Sequence, residues 1–398
     1  MTAQAQLAFV NFTKNAYITM EGREEADRFF IIRSGNVHIS KRMPVVPEES
    51  GYVLGPGDFF GVISTMLSQK CSETAQALTD VTLIAVKRDQ YSQLIHSNAA
   101  VAIKIVMQFS KKMRFLNESL TMLTLNKTSE GDPDQIFKAA EFYARQNMYD
   151  QAYYAYNQYL KHCRQGSFLE EARQKITKIS PFIKTKSNFQ PDDATRNYPK
   201  GAMFFCEAEP GSELFIIQSG SVKITKIVEN DEVQLAILKA GDIFGEMALL
   251  ESMPRSASAV ANEDCKVMVV SWANFKHMIQ TQPQLITKLT TLLAERIWLS
   301  YKQLANTKIA DPLKRIYDVL QTHLEKKHIN PKESRPFTFD FGPKELINMV
   351  GLSQNEGLIA LKKFLNNSAI SVVDDKIHVA ETSVIARQVG SLHKEPLY

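Results

Sequence analysis

The sequence is poor in cysteine and has no long apolar run, and each absence excludes a class of protein. Its four cysteines, Cys71, Cys163, Cys206 and Cys265, are scattered without CxxC spacing, so neither a zinc site nor an iron–sulfur cluster is predicted. No apolar run approaches the length that crosses a membrane. The N-terminus also lacks the basic region and apolar stretch of a signal peptide. We therefore expect a cytoplasmic protein with free thiols, no metal and no membrane contact.

The signatures of catalysis are absent as well. The chain has no Walker loop, no nucleophile elbow and no HExxH motif, and its eight histidines are not clustered. Composition is otherwise ordinary, with 44% hydrophobic and 23% charged residues and a formal net charge of +4, which neither demands nor excludes a nucleic-acid partner. The length of 398 residues suggests about two to four domains. We expect a binding protein rather than an enzyme.

An internal repeat of short strands separated by glycine is present. Residues 29–39 have the pattern of strand, glycine turn and strand, and residues 214–224 repeat it. Residues 57–61, Gly-Asp-Phe-Phe-Gly, likewise match residues 241–245, Gly-Asp-Ile-Phe-Gly, at an offset of 184 residues (241 − 57). Two copies of one β-roll domain are therefore predicted.

One stretch of the second copy combines groups that suit a sugar phosphate. Gly245 permits a tight turn before a short helix whose N-terminal N–H groups can point at phosphate. Glu246 supplies a carboxylate for a pair of ribose hydroxyls, and Arg255 supplies a planar fork of donors for a phosphate diester. Ser256 adds a hydroxyl and an amide. A lone Glu and Arg would indicate a surface ion pair, but this pair lies within the longer pattern of residues 240–257, which predicts a bound cyclic nucleotide.

The first copy lacks the two charged groups. At the same offset, Val62 takes the place of Glu246 and Cys71 takes the place of Arg255. A valine cannot accept from ribose, and burying a phosphate without a cation is costly. Glu73 and Lys70 lie nearby but do not replace the missing pair. The first roll is predicted to keep the fold and to have lost the ligand.

Each roll is followed by a predicted long helix. Apolar residues from Ala102 to Leu123 recur in steps of four and three, which is a heptad seam. This seam fits either packing on the helix's own roll or pairing with a second helix. The other helix runs from Leu285 to about Ile309 and ends before Asp311-Pro312, where proline predicts a hinge.

A tyrosine-rich helical segment separates the two rolls. The breaker cluster from Thr128 to Pro133 marks a boundary. Residues 134–179 then place small Ala and large Tyr side chains at the spacing of a tetratricopeptide helix pair, with Phe168 to Ile179 as a capping helix. One such repeat cannot bury its own face. We expect a spacer packed on the rolls, with peptide binding as the alternative.

The C-terminal segment predicts two helices followed by a hairpin. Pro343 stands at the first position of a helix, and Gly351 provides the turn that ends it. Residues 353–356, Ser-Gln-Asn-Glu, form a capping box for the next helix. A hairpin turns at residues 374–376. Helix, turn, helix and wing is the plan of a winged helix-turn-helix.

These motifs carry a resemblance to a known family. The cassette at residues 240–257 resembles that of cyclic-nucleotide-binding domains. The order of β-roll, long helix, hinge and winged helix-turn-helix over about residues 200–380 resembles the Crp/Fnr transcription regulators. The resemblance implies that an effector repositions the long helices of a homodimer and so its DNA-reading helices. Cyclic AMP is favoured as the effector, with cyclic GMP as the alternative. A regulatory or scaffold protein that acts on a protein partner is the rival class, although no basic pseudosubstrate lies near the N-terminus.

The resemblance also assigns effector-binding residues. Ser300 stands where the family places a hydroxyl that touches the purine, and Tyr301 stands where a hydroxyl of the partner subunit would reach across, although tyrosine is bulkier. The full predicted set is Gly245, Glu246, Met247, Ala248, Arg255, Ser256, Ala257, Ser300 and Tyr301.

The DNA-reading positions depart further from the family. Where cyclic-AMP-binding members place Arg, Glu and Arg, this chain has Gln354, Asn355 and Ile359. Gln and Asn can pair with adenine, and Ile can touch a thymine methyl group. The remaining predicted contacts, to phosphates, are Ser353, Lys362 and Lys363. Residues 311–398 contain 12 Lys and Arg against 11 Asp and Glu, a modest net charge of +1. A winged helix kept for docking a protein is the alternative.

The predicted fold class is α+β multidomain, with two cyclic-nucleotide-binding β-rolls, a tetratricopeptide-like segment between them and a C-terminal winged helix-turn-helix. The predicted domains are 1–127 (degenerate roll with its long helix), 128–185 (helical segment), 186–310 (second roll with a dimerisation-type helix) and 311–398 (winged helix). The expected partners are double-stranded DNA, a second copy of the chain and a protein partner at the tetratricopeptide-like segment.

Overall fold

The computed structural model describes residues 7–23, 26–42, 44, 51–125, 134–184, 194–228, 231–352 and 354–390. These residues form two compact units. The first contains the described parts of Met1–Arg42, Gly51–Phe115 and Thr128–Glu295, and the second contains those of Met43–Ser50, Leu116–Lys127 and Arg296–Tyr398. Within the described ranges, no helix combines the length and apolar character needed to span a membrane.

The first roll consists of two four-stranded antiparallel sheets. Its strands are β1 (Ala8–Phe12), β2 (Tyr17–Thr19), β3 (Arg28–Ser34), β4 (Val37–Ser40), β5 (Tyr52–Leu54), β6 (Phe59–Phe60), β7 (Thr74–Ala77) and β8 (Val81–Lys87). The strand orders are β1-β8-β3-β6 and β2-β7-β4-β5. Alternate residues of β8, such as Val81 and Leu83, face a core shared by the two sheets, as period-two alternation requires. Its helices are α1 (Val62–Leu67), α2 (Tyr91–Ser97) and α3 (Ala99–Leu125).

Three helices follow, α4 (Gln135–Arg145), α5 (Tyr149–His162) and α6 (Leu169–Ile179), with a 3₁₀ turn at Ser180–Phe182. Buried tyrosines, including Tyr143 and Tyr156, pack with alanines in a core that continues into Met203, Cys206 and Val260. The segment therefore packs on the second roll, and its tetratricopeptide-like character stays a prediction. The boundary predicted at residues 128–133 lies outside the described residues.

The second roll repeats the first. Its strands are β9 (Thr195–Tyr198), β10 (Met203–Phe205), β11 (Glu213–Ser219), β12 (Ser221–Val228), β13 (Asp231–Lys239), β14 (Ile243–Phe244), β15 (Ser258–Ala261) and β16 (Cys265–Ser271), and its helices are α7 (Glu246–Glu251), α8 (Trp272–Thr281) and α9 (Pro283–Thr307). The orders β9-β16-β11-β14 and β10-β15-β12-β13 reproduce those of the first roll. Phe30 pairs with Phe60 as Phe215 pairs with Phe244. The predicted internal repeat is confirmed.

The C-terminal region has its own core. Its elements are α10 (Pro312–Lys326), β17 (Phe337–Thr338), α11 (Pro343–Val350), α12 (Gln354–Leu365), β18 (Ile370–Val373), β19 (Lys376–Val379) and α13 (Ser383–Gly390), with the sheet order β17-β19-β18. Pro343 begins α11 and Gly351, at φ 63°, ends it. Asp374 and Asp375 adopt positive φ in the hairpin turn. The predicted helices and hairpin are therefore confirmed, whereas Ser353 of the predicted capping box lies outside the described residues.

The break between α9 and α10 falls where proline predicted it. Asp311 caps α10 by accepting from the Leu313 N–H at 2.9 Å, and Pro312 is the first helical residue. Asn306, 1% exposed near the end of α9, donates to the Arg315 carbonyl at 2.9 Å and to the Asp318 carboxylate at 2.8 Å. Hydrogen bonds thus cross the break, and bending at this point stays a prediction.

The same network reaches α11. The guanidinium of Arg315 donates to Oδ1 of Asn306 at 3.2 Å and to the carbonyl of Val350 at 2.6 Å. Val350 is the last residue of α11, directly before the turn that leads to α12. A continuous set of side-chain hydrogen bonds therefore joins the end of α9 to the turn between α11 and α12.

Helix α9 buries a stripe of apolar residues within a single chain. Ile286, Leu289, Leu293, Ile297 and Leu304 are each at most 3% exposed. We expect Leu293→Ala to lower the free energy of unfolding by about 2–5 kcal/mol, because it leaves a cavity in a covered core. Denaturant titrations at two protein concentrations should give the same loss. Leu235→Ala, at a half-exposed residue of β13, is the control and should stay within about 0.5 kcal/mol. A loss that varies with protein concentration would show that a second chain covers the stripe.

His323 makes stability depend on pH. Its ring lies 4.7 Å from that of Phe341, and burial, followed by the charges of Lys326 and Lys327 and opposed by Asp340, lowers its pKa from 6.5 to about 4. The unfolded chain therefore binds a proton that the folded chain excludes. The stability that depends on the neutral ring is complete above pH 6.5 and is lost as the pH falls toward 4, with a slope of up to about 1.4 kcal/mol per pH unit.

Replacing His323 by leucine should flatten this dependence. Urea unfolding at pH 7 and pH 5 measures the difference for the wild type, for His323→Leu and for the control His277→Gln, which changes an exposed helix position. An unchanged difference in His323→Leu would contradict the assignment.

Candidate effector site

The cassette of the second roll is a glycine turn followed by the short helix α7. Gly245 caps the helix at φ 76°, a conformation that favours glycine. A Cβ atom at this position would lie 2.7 Å from Nη1 of Arg255. Glycine is therefore required by the turn and by the close approach of the guanidinium.

Arg255 is the centre of the site. It is 6% exposed, its Nη1 donates to the Gly245 carbonyl at 2.6 Å, and its Cζ lies 4.2 Å from the centroid of the Phe205 ring. A Cβ atom at Gly211 would lie 2.3 Å from Nε, so this second glycine also makes room for the side chain. Burial lowers the pKa of Arg255, and the charge of Glu209 makes the largest contribution that opposes the shift.

The guanidinium retains donor capacity. Its Nε is buried and has no hydrogen-bond partner, and none of the ion pairs formed by the described residues includes Arg255. Ring-face contact with Phe205 stabilises the cation but does not satisfy an N–H donor. The site thus presents a buried cation that can bind an anion.

The remaining cassette residues lie around the same turn. Glu246, 2% exposed, is the first residue of α7, and the Ser256 hydroxyl contacts Sδ of Met247 at 3.8 Å. Ala248 and Ala257 are buried. The structure therefore gathers all the predicted cassette residues in one segment. Ser300, 6% exposed, and Tyr301, half-buried, lie on α9 in the second compact unit, and their contact with an effector stays a prediction.

The structure adds to the candidate site a second loop, which the sequence did not predict. The Arg255 N–H donates to the Glu209 carbonyl at 2.8 Å, and the Ala208 N–H donates to the Arg255 carbonyl at 2.8 Å. The Glu209 carboxylate accepts from the Cys206 N–H at 2.9 Å and from the Tyr154 hydroxyl at 3.1 Å. Burial raises the pKa of Glu209 above its usual value, and these hydrogen bonds and the charge of Arg255 only partly oppose the shift. Glu207 and Glu209, the two carboxylates that precede Pro210 and Gly211 in the sequence, could have indicated this loop.

The corresponding place in the first roll is occupied by its own side chains. Val62 is 2% exposed, and Oε1 of Glu73 accepts from the Gly61 N–H at 3.1 Å. The hydroxyls of Ser64 and Ser72 bond to each other at 3.1 Å. Burial, with the charge of Glu73, raises the pKa of the Cys71 thiol and keeps it neutral. An internal carboxylate thus uses the backbone donor at the start of α1. Loss of the ligand in this roll stays a prediction.

Except for Ser353, the predicted DNA-reading residues lie on helix α12. Asn355, Lys362 and Lys363 are exposed, and Ile359 is 59% exposed. Ser353 and the Gln354 side chain lie outside the described residues. Three other apolar residues of the C-terminal region are also exposed, which the sequence did not predict. They are Leu358 on α12 and Val372 and Val373 on β18. No group of His, Cys, Asp and Glu in the described part of the chain is arranged to hold a metal ion.

Comparison with known proteins assigns both rolls. The cyclic nucleotide-binding domain family matches residues 9–98 and 195–282. A CRP-like cAMP-activated global transcriptional regulator of Mycobacterium tuberculosis is 25% identical over 193 residues, which are 48% of this chain and 86% of that protein. A cyclic AMP receptor protein of Thermus thermophilus is 36% identical over 103 residues, 26% of this chain and 48% of that protein. The solved catabolite activator protein of Thermus thermophilus is 26% identical, with coverage of 50% of this chain and 90% of that chain and a TM-score of 0.28. The chain therefore contains two cyclic nucleotide-binding domains and is similar to CRP-like regulators.

Proposed function

We propose that this protein is a cyclic-nucleotide-responsive transcription regulator that binds its effector in the second roll and reads DNA with α12. The supporting observation is the buried Arg255 guanidinium, whose Nε has no partner. Burial of the Arg255 cation is costly and is only partly offset by Glu209, and a bound phosphate would supply further negative charge and the missing acceptor for Nε. One relative is named a cAMP-activated regulator and another a cyclic AMP receptor protein, which favours cyclic AMP over cyclic GMP as the effector.

Each cassette residue has a defined role in this proposal. Arg255 and the N-terminal amides of α7 bind the cyclic phosphate, since helix N-termini carry unpaired N–H groups. Glu246 accepts from the ribose hydroxyl. Ser300 and Tyr301 on α9 bind the base, which would connect the effector to the helix that leads to the C-terminal region.

The C-terminal region would convert this signal into DNA binding. The hydrogen bonds from Asn306 through Arg315 to the Val350 carbonyl offer a route from α9 to the turn before α12. In the major groove, Asn355 and Ile359 would face base edges, together with Gln354, while Lys362, Lys363 and Ser353 would bind phosphates.

A second copy of the chain would supply the second half-site, since one winged helix reads one half-site and a palindrome needs two. We place the contact between copies on the helix from Leu285 to about Ile309. The alternative is a pseudo-dimer within one chain, with helix 102–123 lying against helix 285–309, and the burial of the α9 stripe within one chain supports it.

The rival function is a regulator that docks a protein. The exposed apolar side chains Leu358, Ile359, Val372 and Val373 support it, because DNA phosphates offer them no partner. In that case the winged helix and the tetratricopeptide-like segment would serve as docking modules.

Cyclic AMP should bind one site per chain. Arg255→Ala should weaken binding by about 2–5 kcal/mol, which is roughly thirtyfold or more, because the phosphate loses its buried partner. Isothermal calorimetry on the full chain measures both quantities. Cys71→Ala changes the equivalent position of the first roll and should leave affinity and stoichiometry unchanged. Two equivalent sites, or wild-type affinity in Arg255→Ala, would reject the assignment.

DNA binding should require the effector. A gel shift with random-sequence DNA, with and without cyclic AMP, tests this, and selection from that pool identifies the site. Lys362→Gln and Lys363→Gln should weaken binding to all sequences and lower its salt dependence, whereas Asn355→Ala should cost about 1–3 kcal/mol at the selected site only. Lys332→Gln, at an exposed loop residue, is the control. Absence of DNA binding at low salt with cyclic AMP present would favour the docking function.

A further inference from the structure

Helix α3 of the first roll contacts the cassette of the second roll through a buried ion pair. Nε of Arg114 lies 2.7 Å from Oε2 of Glu251, and the side chains are only 13% and 6% exposed. The Ser110 hydroxyl donates to the other carboxylate oxygen of Glu251 at 2.5 Å. Both terminal nitrogens of Arg114 also lie 3.3 Å from the Pro254 carbonyl. All four residues belong to the first compact unit.

The contact falls at both ends of the loop that joins α7 to Arg255. Glu251 is the last residue of α7, the helix that begins with Glu246. Pro254 directly precedes Arg255. Between them, Ser252 has a left-handed φ of 53°, which is uncommon for a residue other than glycine. Arg114 thus holds the segment that sets the distance between the proposed ribose and phosphate ligands.

The contact is not needed to attach the first roll to the second. The Tyr91 hydroxyl bonds to that of Thr290 at 3.1 Å, and Ser92 bonds to Thr287 at 2.9 Å, so other contacts connect the first roll to α9. A buried ion pair is in any case a weak source of net stability, because desolvation of the two charges offsets their attraction. Its value lies in fixing a geometry.

The repeat makes the contact asymmetric. At the offset of 184 residues, Glu251 corresponds to Leu67 and Arg114 corresponds to Trp298. The related position in the first roll can therefore form no ion pair. The charged contact occurs only on the cassette that retains Glu246 and Arg255, as a contact that serves the effector site should.

The charges at the C-terminal end of α7 also indicate that Arg114 holds this segment in place. A carboxylate at a helix C-terminus is unfavourable, because the last carbonyls already carry partial negative charge. The Arg114 cation offsets both Glu251 and those carbonyls. Without it, Glu251 would turn toward solvent and release the loop before Arg255.

We propose that Arg114 is a positioning residue for the effector site, and that the first roll, which has lost its own ligand, is a built-in partner that holds the cassette of the second. The inference rests on the proposed binding of a cyclic nucleotide at Arg255. A loop that is ordered before the ligand arrives need not be ordered on binding, so affinity is higher.

Calorimetry with cyclic AMP on the full chain tests the proposal. Arg114→Met should lower affinity at least tenfold, and Arg114→Lys, which keeps the charge but loses the bonds to Pro254, should lie between it and the wild type. The matched control is Lys104→Met on the same helix, since Lys104 pairs with Asp58 at 3.0 Å within the first roll. Its affinity should stay within twofold of the wild type.

A double-mutant cycle separates positioning from general destabilisation. If Arg114 acts through Glu251, Arg114→Met should change affinity little in a Glu251→Gln background, because the two residues then act as one unit. Additive losses would overturn the proposed route through Glu251.

Hydrogen exchange without ligand supplies an independent readout. The amides of residues 246–253 and 255 should exchange faster in Arg114→Met than in the wild type, and Lys104→Met should leave them unchanged. Wild-type exchange and wild-type affinity in Arg114→Met would overturn this inference while leaving the proposed function intact. A wild-type protein that binds no cyclic nucleotide would overturn the proposed function, and exchange would still decide whether Arg114 orders the cassette.

Discussion

The burial of one guanidinium governs the structure of the second roll. Arg255 is 6% exposed, and glycine at positions 211 and 245 leaves the space that it fills. Phe205 offers a ring face to the cation, and the main chain of Glu209 pairs with that of Arg255. A charge buried in this way requires compensation. Much of the surrounding sequence can be understood as the set of groups that keep the side chain in place and leave one donor for a ligand.

The two rolls share one fold and differ in the residues of the candidate site. Both retain the same strand orders and the same pairing of aromatic residues between neighbouring strands. The first roll has Val62 at the position of Glu246, the proposed ribose ligand, and Glu73 accepts from the amide of Gly61. Packing constrains the core residues whether or not a ligand binds. Residues that only contact a ligand are free of that constraint, so they can change without loss of the fold.

Two helices outside the second roll contact residues around its candidate effector site. Tyr154 of α5 donates to Glu209, and Arg114 of α3 pairs with Glu251. In the second compact unit, Arg315 bonds both to the end of α9 and to the end of α11. These contacts are side-chain hydrogen bonds between elements far apart in sequence. The contacts of Tyr154 and Arg114 join the helical segment and the first roll to the candidate effector site.

The sequence by itself determined the repeat, the cassette and the helix boundaries at Pro312, Pro343 and Gly351, because period-two alternation and turn chemistry are local. Tertiary structure alone decided which distant groups meet. Arg114 and Glu251 are 137 residues apart, and Tyr154 and Glu209 are 55 apart. It also decided that one chain covers the apolar seam of α3 at Ala102, Val106, Phe109 and Leu116, which the heptad spacing left open. Periodicity shows that an apolar face of a helix must be buried. The surface that buries it can belong to the same chain or to another chain, and only the tertiary structure shows which.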